Sequence, residues 1–302
     1  MKILLFGASG LFGINFIYKF SKEHEIIAVL HKNLLDIPNV KKHVIKKLNK
    51  KEIINLINQV KCDVVINAAA LTNIESCEKH RDLTLNINQE LAIDIAYACS
   101  VTKKKYIFIS TDSLHSGKDE FDTELSEVTP LNFYAKSKAE AEKKILETCS
   151  TSLILRTTFY GWGLHDRNSL SDWIISSLRN RISIECYTNI FFTPLYLSEL
   201  HKIILILIKE NKIGIFNISS DERISKFDFA NKIAKIFNLD SSLIKESKFF
   251  KNEFRVKRPL DLSLSNEKLK STLNIKINSL EDQISELRHN ENKIGSFFSN
   301  IK

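Results

Sequence analysis

Two short clusters in this chain hold residue types that can move a proton onto a polarised oxygen. One is Ser110-Thr111-Asp112; the other is Tyr134-Ala-Lys136-Ser-Lys138, preceded by Thr129-Pro130-Leu-Asn132. Tyr134 and Lys138 stand four apart, so on a helix they share one face, and Pro130 suits that helix's first turn. A phenol with a pKa near ~10 is a poor acid at neutral pH, and an adjacent ammonium is expected to lower that value and help deliver the proton. A hydroxyl such as that of Thr111 can bond a carbonyl oxygen and hold it beside the phenol while hydride arrives at the carbon. A Tyr and a Lys at this spacing on a lysine-rich helix are ordinarily surface neighbours, so their meaning depends on the elements around them.

Those elements begin at the N-terminus. Ile3 to Phe6 is a wholly apolar run, as expected of a strand covered on both faces of a parallel sheet, and Gly7-Ala-Ser9-Gly10-Leu11-Phe12-Gly13 follows it directly. Gly7 can make the tight turn, Gly10 lets a pyrophosphate approach the backbone, and Gly13 permits close packing of helix on strand. The helix from Leu11 to about Lys22 starts there, turning its unpaired amides toward the phosphates. The spacing is G-x-x-G-x-x-G, a partial match to the G-x-G-x-x-G dinucleotide fingerprint. At the end of the second strand, Val29-Leu30-His31-Lys32, an acid would favour NAD; His31 and Lys32 favour NADPH, with NADH as the alternative.

Composition narrows the class. The chain has 302 residues, 43% hydrophobic and 26% charged, which suits a large α/β core in one or two lobes. The longest strongly apolar run of the C-terminal half, Ile203 to Ile208, is too short to span a membrane, and no export signal is visible. Cys62, Cys77, Cys99, Cys149 and Cys186 are widely spread with no C-x-x-C pair, which argues against a zinc site or disulfide framework and fits a reducing cytoplasm. The net charge of +8 comes from scattered lysines rather than a basic stripe interleaved with aromatics, so no nucleic-acid partner is expected.

Strands are expected at Glu25 to Leu30, Asp63 to Asn67, Lys105 to Ser110, Ser152 to Arg156 and Gly214 to Ile218. Helices are expected at Lys51 to Gln59, Leu83 to Cys99 and Pro130 to Thr148, then near Phe227 to Phe237 and Leu280 to Arg288. This alternation predicts a doubly wound, Rossmann-type parallel sheet. The expected division is a dinucleotide-binding domain over 1–160 plus about 187–217, and a smaller substrate lobe from about 161–186 and 218–302.

With the motifs Val65-Ile-Asn67-Ala-Ala-Ala70-Leu-Thr72, Cys77-Glu78, Asn88, Ser110-Thr111-Asp112, Tyr134 to Lys138, Leu155-Arg156-Thr157, Tyr160-Gly161, Thr193-Pro194 and Arg258-Pro259, the chain resembles the extended short-chain dehydrogenases/reductases. Within them it is most similar to the dTDP-4-dehydrorhamnose reductase family. The resemblance implies that Tyr134 protonates a C4 oxygen, Lys138 tunes it and binds ribose, and Thr111 orients the ketone. It further implies that Gly7, Ser9, Gly10, Leu11, Phe12 and Gly13 hold the pyrophosphate and that Asn67, Ala68, Ala69 and Ala70 line the path to the nicotinamide. Asn88 matches the superfamily's helix asparagine, for which a proton relay is implied; an ordinary helix asparagine is the alternative.

Substrate contacts are expected from Thr72, Thr111, Asp112, Trp162, Asn168 and Arg258, with Arg255 and the Phe191-Phe192-Thr193-Pro194 stretch as further candidates. The implied activity is NADPH-dependent reduction of a 4-keto deoxysugar nucleotide, dTDP-4-dehydro-L-rhamnose foremost, for surface polysaccharide; no metal is called for, and a homodimer is compatible with it. Two departures bear on this. Ser113-Leu-His115-Ser-Gly117 replaces an aromatic stretch after Thr-Asp, and Lys47 stands where a family acid meets the adenine. Ser113 after Asp112 sets the chain apart from the dehydratases, which carry Asp and Glu after the threonine. A nucleotide-sugar 4-epimerase, a reductase of another keto sugar, and a non-catalytic regulatory subunit like the β-subunit of methionine adenosyltransferase remain the alternatives.

Overall fold

A computed structural model describes residues 1–31, 35–38, 40–45, 49–164, 169–250 and 256–301. Its centre is a seven-stranded sheet in which every pairing is parallel. The strands are β1 (Lys2–Phe6), β2 (Glu25–Leu30), β3 (Lys41–Val44), β4 (Val64–Asn67), β5 (Lys105–Ile109), β6 (Leu153–Thr157) and β7 (Gly214–Ile218). They run in the order β7-β6-β5-β4-β1-β2-β3, so chain direction across the sheet reverses between β1 and β4. That switch point opens a crevice at the strands' carboxyl ends.

The sheet is covered on both faces, and alternation along each strand divides its side chains between two cores. Ile3, Leu5, Ala28, Ile66, Ile107 and Leu155 join one core with α1 (Leu11–Phe20) and α5 (Leu197–Lys209). Leu4, Phe6, Ile27, Val65, Phe108 and Ile154 join the other with α2 (Lys50–Val60), α3 (Leu91–Thr102) and α4 (Phe133–Thr148). This two-sided burial is why the strands read as unbroken apolar runs.

The helix starts follow from caps. Asn49 accepts from Glu52 N, and Asn132 accepts from Ala135 N at 2.9 Å. The second cap corrects one expectation: Pro130 lies outside the helix, because the Asn132 side chain supplies the start signal two residues later. The helix expected over Leu83 to Cys99 is instead a short α-turn Arg81–Thr84, a π-helical segment Leu85–Glu90 and then α3. β3, with sequence Lys-Lys-His-Val, is an edge strand that no apolar pattern announces.

Beyond β6 several short strands pair with one another outside the main sheet. Phe191–Phe192 pairs antiparallel with Ile224–Ser225 and parallel with Asp261–Leu262, and Ile184–Tyr187 pairs with Ile244–Ser247. Helix α6 (Lys226–Phe237), capped by Ser225, and the long helix α7 (Leu280–Phe298) complete this part. No helix among the described residues is long and apolar enough to cross a membrane.

Candidate active site

The turn after β1 is set by backbone geometry. Gly7 has φ +77°, and a Cβ there would lie 2.5 Å from the backbone of Ala68 and Ala69 at the end of β4. A Cβ on Gly13 would lie 2.4 Å from the Gly7 carbonyl oxygen, so this glycine allows α1 to sit against the turn. Gly10 is the N-cap of α1 and offers no side-chain acceptor. The amides of the first turn therefore remain open toward the crevice.

That crevice holds a cavity of about 680 Å³ in which half of the expected site residues meet, the three expected catalytic ones among them. Gly10, Leu11 and Phe12 line it from the turn, Ala68, Ala70 and Thr72 from the end of β4, and Thr111, Asp112, Tyr134 and Lys138 from β5 and α4. Asn67 and Ala69 lie behind this wall. Asn67 is fully buried, donates to the Tyr106 hydroxyl at 3.1 Å and accepts from Ala69 N at 3.0 Å, so it shapes the loop rather than lining the cavity. Ser9 lies within the turn, and His31 is exposed just past β2. Lys32, Lys47, Asn168 and Arg255 lie outside the described residues.

Trp162 and Arg258 lie outside the cavity wall. The Trp162 indole stands T-shaped on Phe237 and donates to the Leu287 carbonyl at 2.9 Å, which commits it to packing. Arg258 pairs with Glu75, in the helix that follows the cavity residues Thr72 and Asn73. A larger cavity, about 850 Å³, lies between α1 and α7 and is lined by none of the residues expected to meet cofactor or substrate. There Lys19 Nζ donates to the Ser198 carbonyl at 2.9 Å and Ser198 Oγ to Glu286 Oε1 at 2.5 Å.

In the smaller cavity, Thr111 Oγ1 donates to Asp112 Oδ1 and accepts from Ser113 N, both at 3.2 Å, long enough for the hydroxyl to be surrendered to a better partner. Ser113 Oγ also donates to Asp112 at 3.1 Å, so the unusual residue after Thr-Asp braces the aspartate. Burial raises the Asp112 pKa, against the pull of Lys226 and of these hydrogen bonds.

The expectation for the Tyr-Lys pair needs correcting. Burial pushes the Tyr134 phenol up to about 12, and a hydrogen bond with Thr111 offsets this only in part. Lys138 does not lower it; its ammonium donates to the Ile109 carbonyl at 2.7 Å and lies 3.8 Å from the Phe108 ring centroid. Burial brings Lys138 itself down to about 7, with Glu142 pulling it back up. Loss of water outweighs the neighbouring charge for both groups.

Glu142 extends the inner face of α4 by one more turn, following Tyr134 and Lys138 at four-residue steps. It forms a buried two-point ion pair with Arg156 of β6, with contacts of 2.8 and 3.1 Å. Asn88, in the π-helical segment, accepts from Leu71 N at 2.7 Å and donates to the Leu71 carbonyl and to Ser137 Oγ. It thereby ties the loop after β4 to α4. Sequence reasoning missed Leu71, Asn73, Ile109, Thr157, Thr158 and Phe159 as cavity residues. The available signal was position, since the last four flank the carboxyl ends of β5 and β6.

The fold is shared with known proteins. The RmlD substrate binding domain family matches residues 1–292. This chain belongs to that family. It is 25% identical over 288 residues to the probable low-salt glycan biosynthesis reductase Agl14 of Haloferax volcanii, covering 93% of this chain and 95% of the relative. Its fold matches the crystal structure of a dTDP-4-dehydrorhamnose reductase from Clostridium acetobutylicum with a TM-score of 0.82 and 26% identity, over 97% of this chain and 100% of the other. The dTDP-4-dehydrorhamnose reductase of Bacillus anthracis, solved in complex with NADP, shares the fold with a TM-score of 0.82, at 23% identity and over 95% and 98% of the two chains. The chain is an oxidoreductase of the nucleotide-sugar reductase kind. The doubly wound fold and the reductase family expected from the sequence both hold.

Proposed function

We propose that this chain reduces the C4 ketone of a deoxysugar nucleotide with NADPH, dTDP-4-dehydro-L-rhamnose to dTDP-L-rhamnose being the favoured conversion, in the synthesis of surface polysaccharide. The observation that carries the reading is that the open N-terminus of α1 and the group Thr111, Tyr134 and Lys138 line one cavity. The cavity also fits a dinucleotide in detail. The Gly7 and Gly13 contacts keep the turn free of side chains, and Ser110 Oγ and Thr157 Oγ1, beside the cavity, are buried without hydrogen-bond partners. His31 rather than an acid follows β2, which supports NADPH, as does the NADP bound by the Bacillus anthracis neighbour.

When bound, the reduced dinucleotide would supply hydride to C4 of the sugar. Gly10, Leu11 and Phe12 would hold its pyrophosphate, with Ala68 and Ala70 along its path, and Lys138 would reach its ribose. The ketone oxygen gains negative charge as the C4–H bond forms, and Tyr134 gives it the phenolic proton. Held up at about 12, the phenol is fully protonated at neutral pH, and as a weaker acid than a free phenol it gives up its proton only to the strongly basic alkoxide that forms on the substrate. Thr111 turns its hydroxyl from Asp112 to the same oxygen and fixes the carbonyl beside the phenol. The hydride and the phenolic proton together would complete the two-electron reduction of the ketone, and solvent would return the proton to Tyr134.

NADPH consumption, followed by absorbance with dTDP-4-dehydro-L-rhamnose, tests this. Tyr134→Phe is expected to lower kcat by ~10²- to 10⁴-fold with cofactor binding retained. Equal rates would remove Tyr134 from the mechanism, and no turnover by the wild type with any 4-keto sugar nucleotide would overturn the assignment.

A further inference from the structure

Phe108 lies in β5, and its ring is fully buried. Alternation along the strand turns Phe108 and Tyr106 toward the core shared with α3 and α4, whereas Ile107 and Ile109 face the other core. Lys138 reaches the same place from α4. Its Nζ lies over the Phe108 ring, 3.8 Å from the centroid, and donates to the carbonyl of the next residue, Ile109, at 2.7 Å. Two neighbours on one strand thus meet a single buried ammonium, one with its ring and the other with its backbone.

An ammonium carries three N–H donors. The Ile109 carbonyl takes one and the ring face lies against the group; among the described residues Nζ has no further acceptor and no carboxylate within ion-pair distance. Lys138 also lines the cavity of Thr111 and Tyr134, so donor capacity is left over beside that cavity. The carboxylate that pulls Lys138 toward its charged form is Glu142, one turn further along α4, whose oxygens are taken up by Arg156. A carboxylate in the place of Phe108 would occupy the remaining donor and could take the proton. A ring face attracts the cation without doing either, and an aliphatic side chain would fill the core but return nothing for the lost water.

Building on the proposed NADPH-dependent reduction, we infer that Phe108 is a positioning residue for Lys138: its ring face and the Ile109 carbonyl hold the ammonium charged and oriented, leaving one N–H for the ribose on the nicotinamide side of the cofactor. Phe108 acts through the electrostatics of its ring as well as through its volume. Weakening the ring face lowers both the charged fraction of Lys138 and the fraction turned to the ribose.

Calorimetric titration with NADPH and with adenosine 2′,5′-bisphosphate, which lacks the nicotinamide ribose, tests this without needing turnover. Phenylalanines bearing one, two and three ring fluorines, placed at position 108 alone, keep the volume while draining the negative face of the ring. NADPH affinity is expected to fall stepwise along the series, by ~2- to 30-fold at three fluorines, the scale of one cation–ring contact, with adenosine 2′,5′-bisphosphate binding unchanged. Phe108→Leu, which removes the ring, is expected to lose NADPH affinity at least as far. Unchanged NADPH affinity across the fluorinated series overturns the inference and leaves Phe108 a packing residue. An equal loss for adenosine 2′,5′-bisphosphate in that series also overturns it, because the effect then reaches the cofactor through the sheet and not through Lys138. Failure of the wild type to bind NADPH overturns the cofactor reading, and this inference with it, whereas a wild type that binds NADPH but reduces no 4-keto sugar nucleotide refutes only the reduction, and the fluorinated series still decides the role of Phe108.

Discussion

Replacing Lys138 with methionine should make the protein more stable at neutral pH and nearly inactive. Lys138 is 2% exposed, and its pKa falls from the ordinary 10.5 to about 7 because burial penalises the ammonium. Below about pH 7 both folded and unfolded chains bind the proton, and the folded state bears the full cost of the buried charge. Between about pH 7 and about pH 10 only the unfolded chain binds it, so the folded state gains about 1.4 kcal/mol per pH unit. Above the unfolded value the cost is gone. The whole shift corresponds to on the order of 5 kcal/mol, part of which the Ile109 carbonyl and the Phe108 ring offset. Lys19 and Lys226, lowered to about 8 and about 7, act in the same direction, so the comparison must be between wild type and variant. Urea unfolding at about pH 7.5 and about pH 9 should show wild type gaining about 2 kcal/mol more than Lys138→Met across that interval. NADPH oxidation by the variant should be severely reduced at both values. If the two proteins gain stability in parallel, Lys138 keeps an ordinary pKa in the folded protein and the burial argument fails.

Gly13→Ala should weaken NADPH binding at least ~10-fold and destabilise the fold by about 1–3 kcal/mol, since the new methyl would meet backbone at 2.4 and 2.5 Å. Quenching of NADPH fluorescence and urea unfolding read the two effects, and wild-type values in both would show that α1 can shift. Glu142→Ala should cost about 3–5 kcal/mol by leaving the buried Arg156 guanidinium unpaired, whereas Glu142→Leu combined with Arg156→Met should stay much closer to wild type. Equal losses in the single and the double variant would show that packing, not charge, dominates there.

Much of the site is legible one residue at a time. The strand, the glycine turn and the start of α1 follow from local rules: an apolar run, residues free of Cβ clashes, and a helix whose first amides need partners. Tyr134 and Lys138 are legible for the same reason, because four-residue spacing on a helix puts them on one face wherever the helix packs. The edge strand β3 is not, since a Lys-rich segment becomes a strand only through its pairing with β2. The π-helical segment around Asn88 is not legible either, because its amide acts on Leu71, 17 residues earlier, and on Ser137, 49 residues later. Trp162 was a reasonable substrate candidate by residue type, but α7 and Phe237 supply its partners.

By itself, then, the sequence determined which elements form and which groups can do the chemistry: the doubly wound order, the phosphate turn, and the Thr111, Tyr134 and Lys138 set. Tertiary structure alone decided the protonation states, raising the phenol and lowering the ammonium in the opposite sense to the one the local pair suggests. It also brought Arg156 to Glu142 and put Lys226 within electrostatic reach of Asp112. The physical reason is that propensity and periodicity act over a few neighbouring residues, whereas loss of water and charge pairing depend on what packs around a group, and that is supplied by strands and helices distant in the chain.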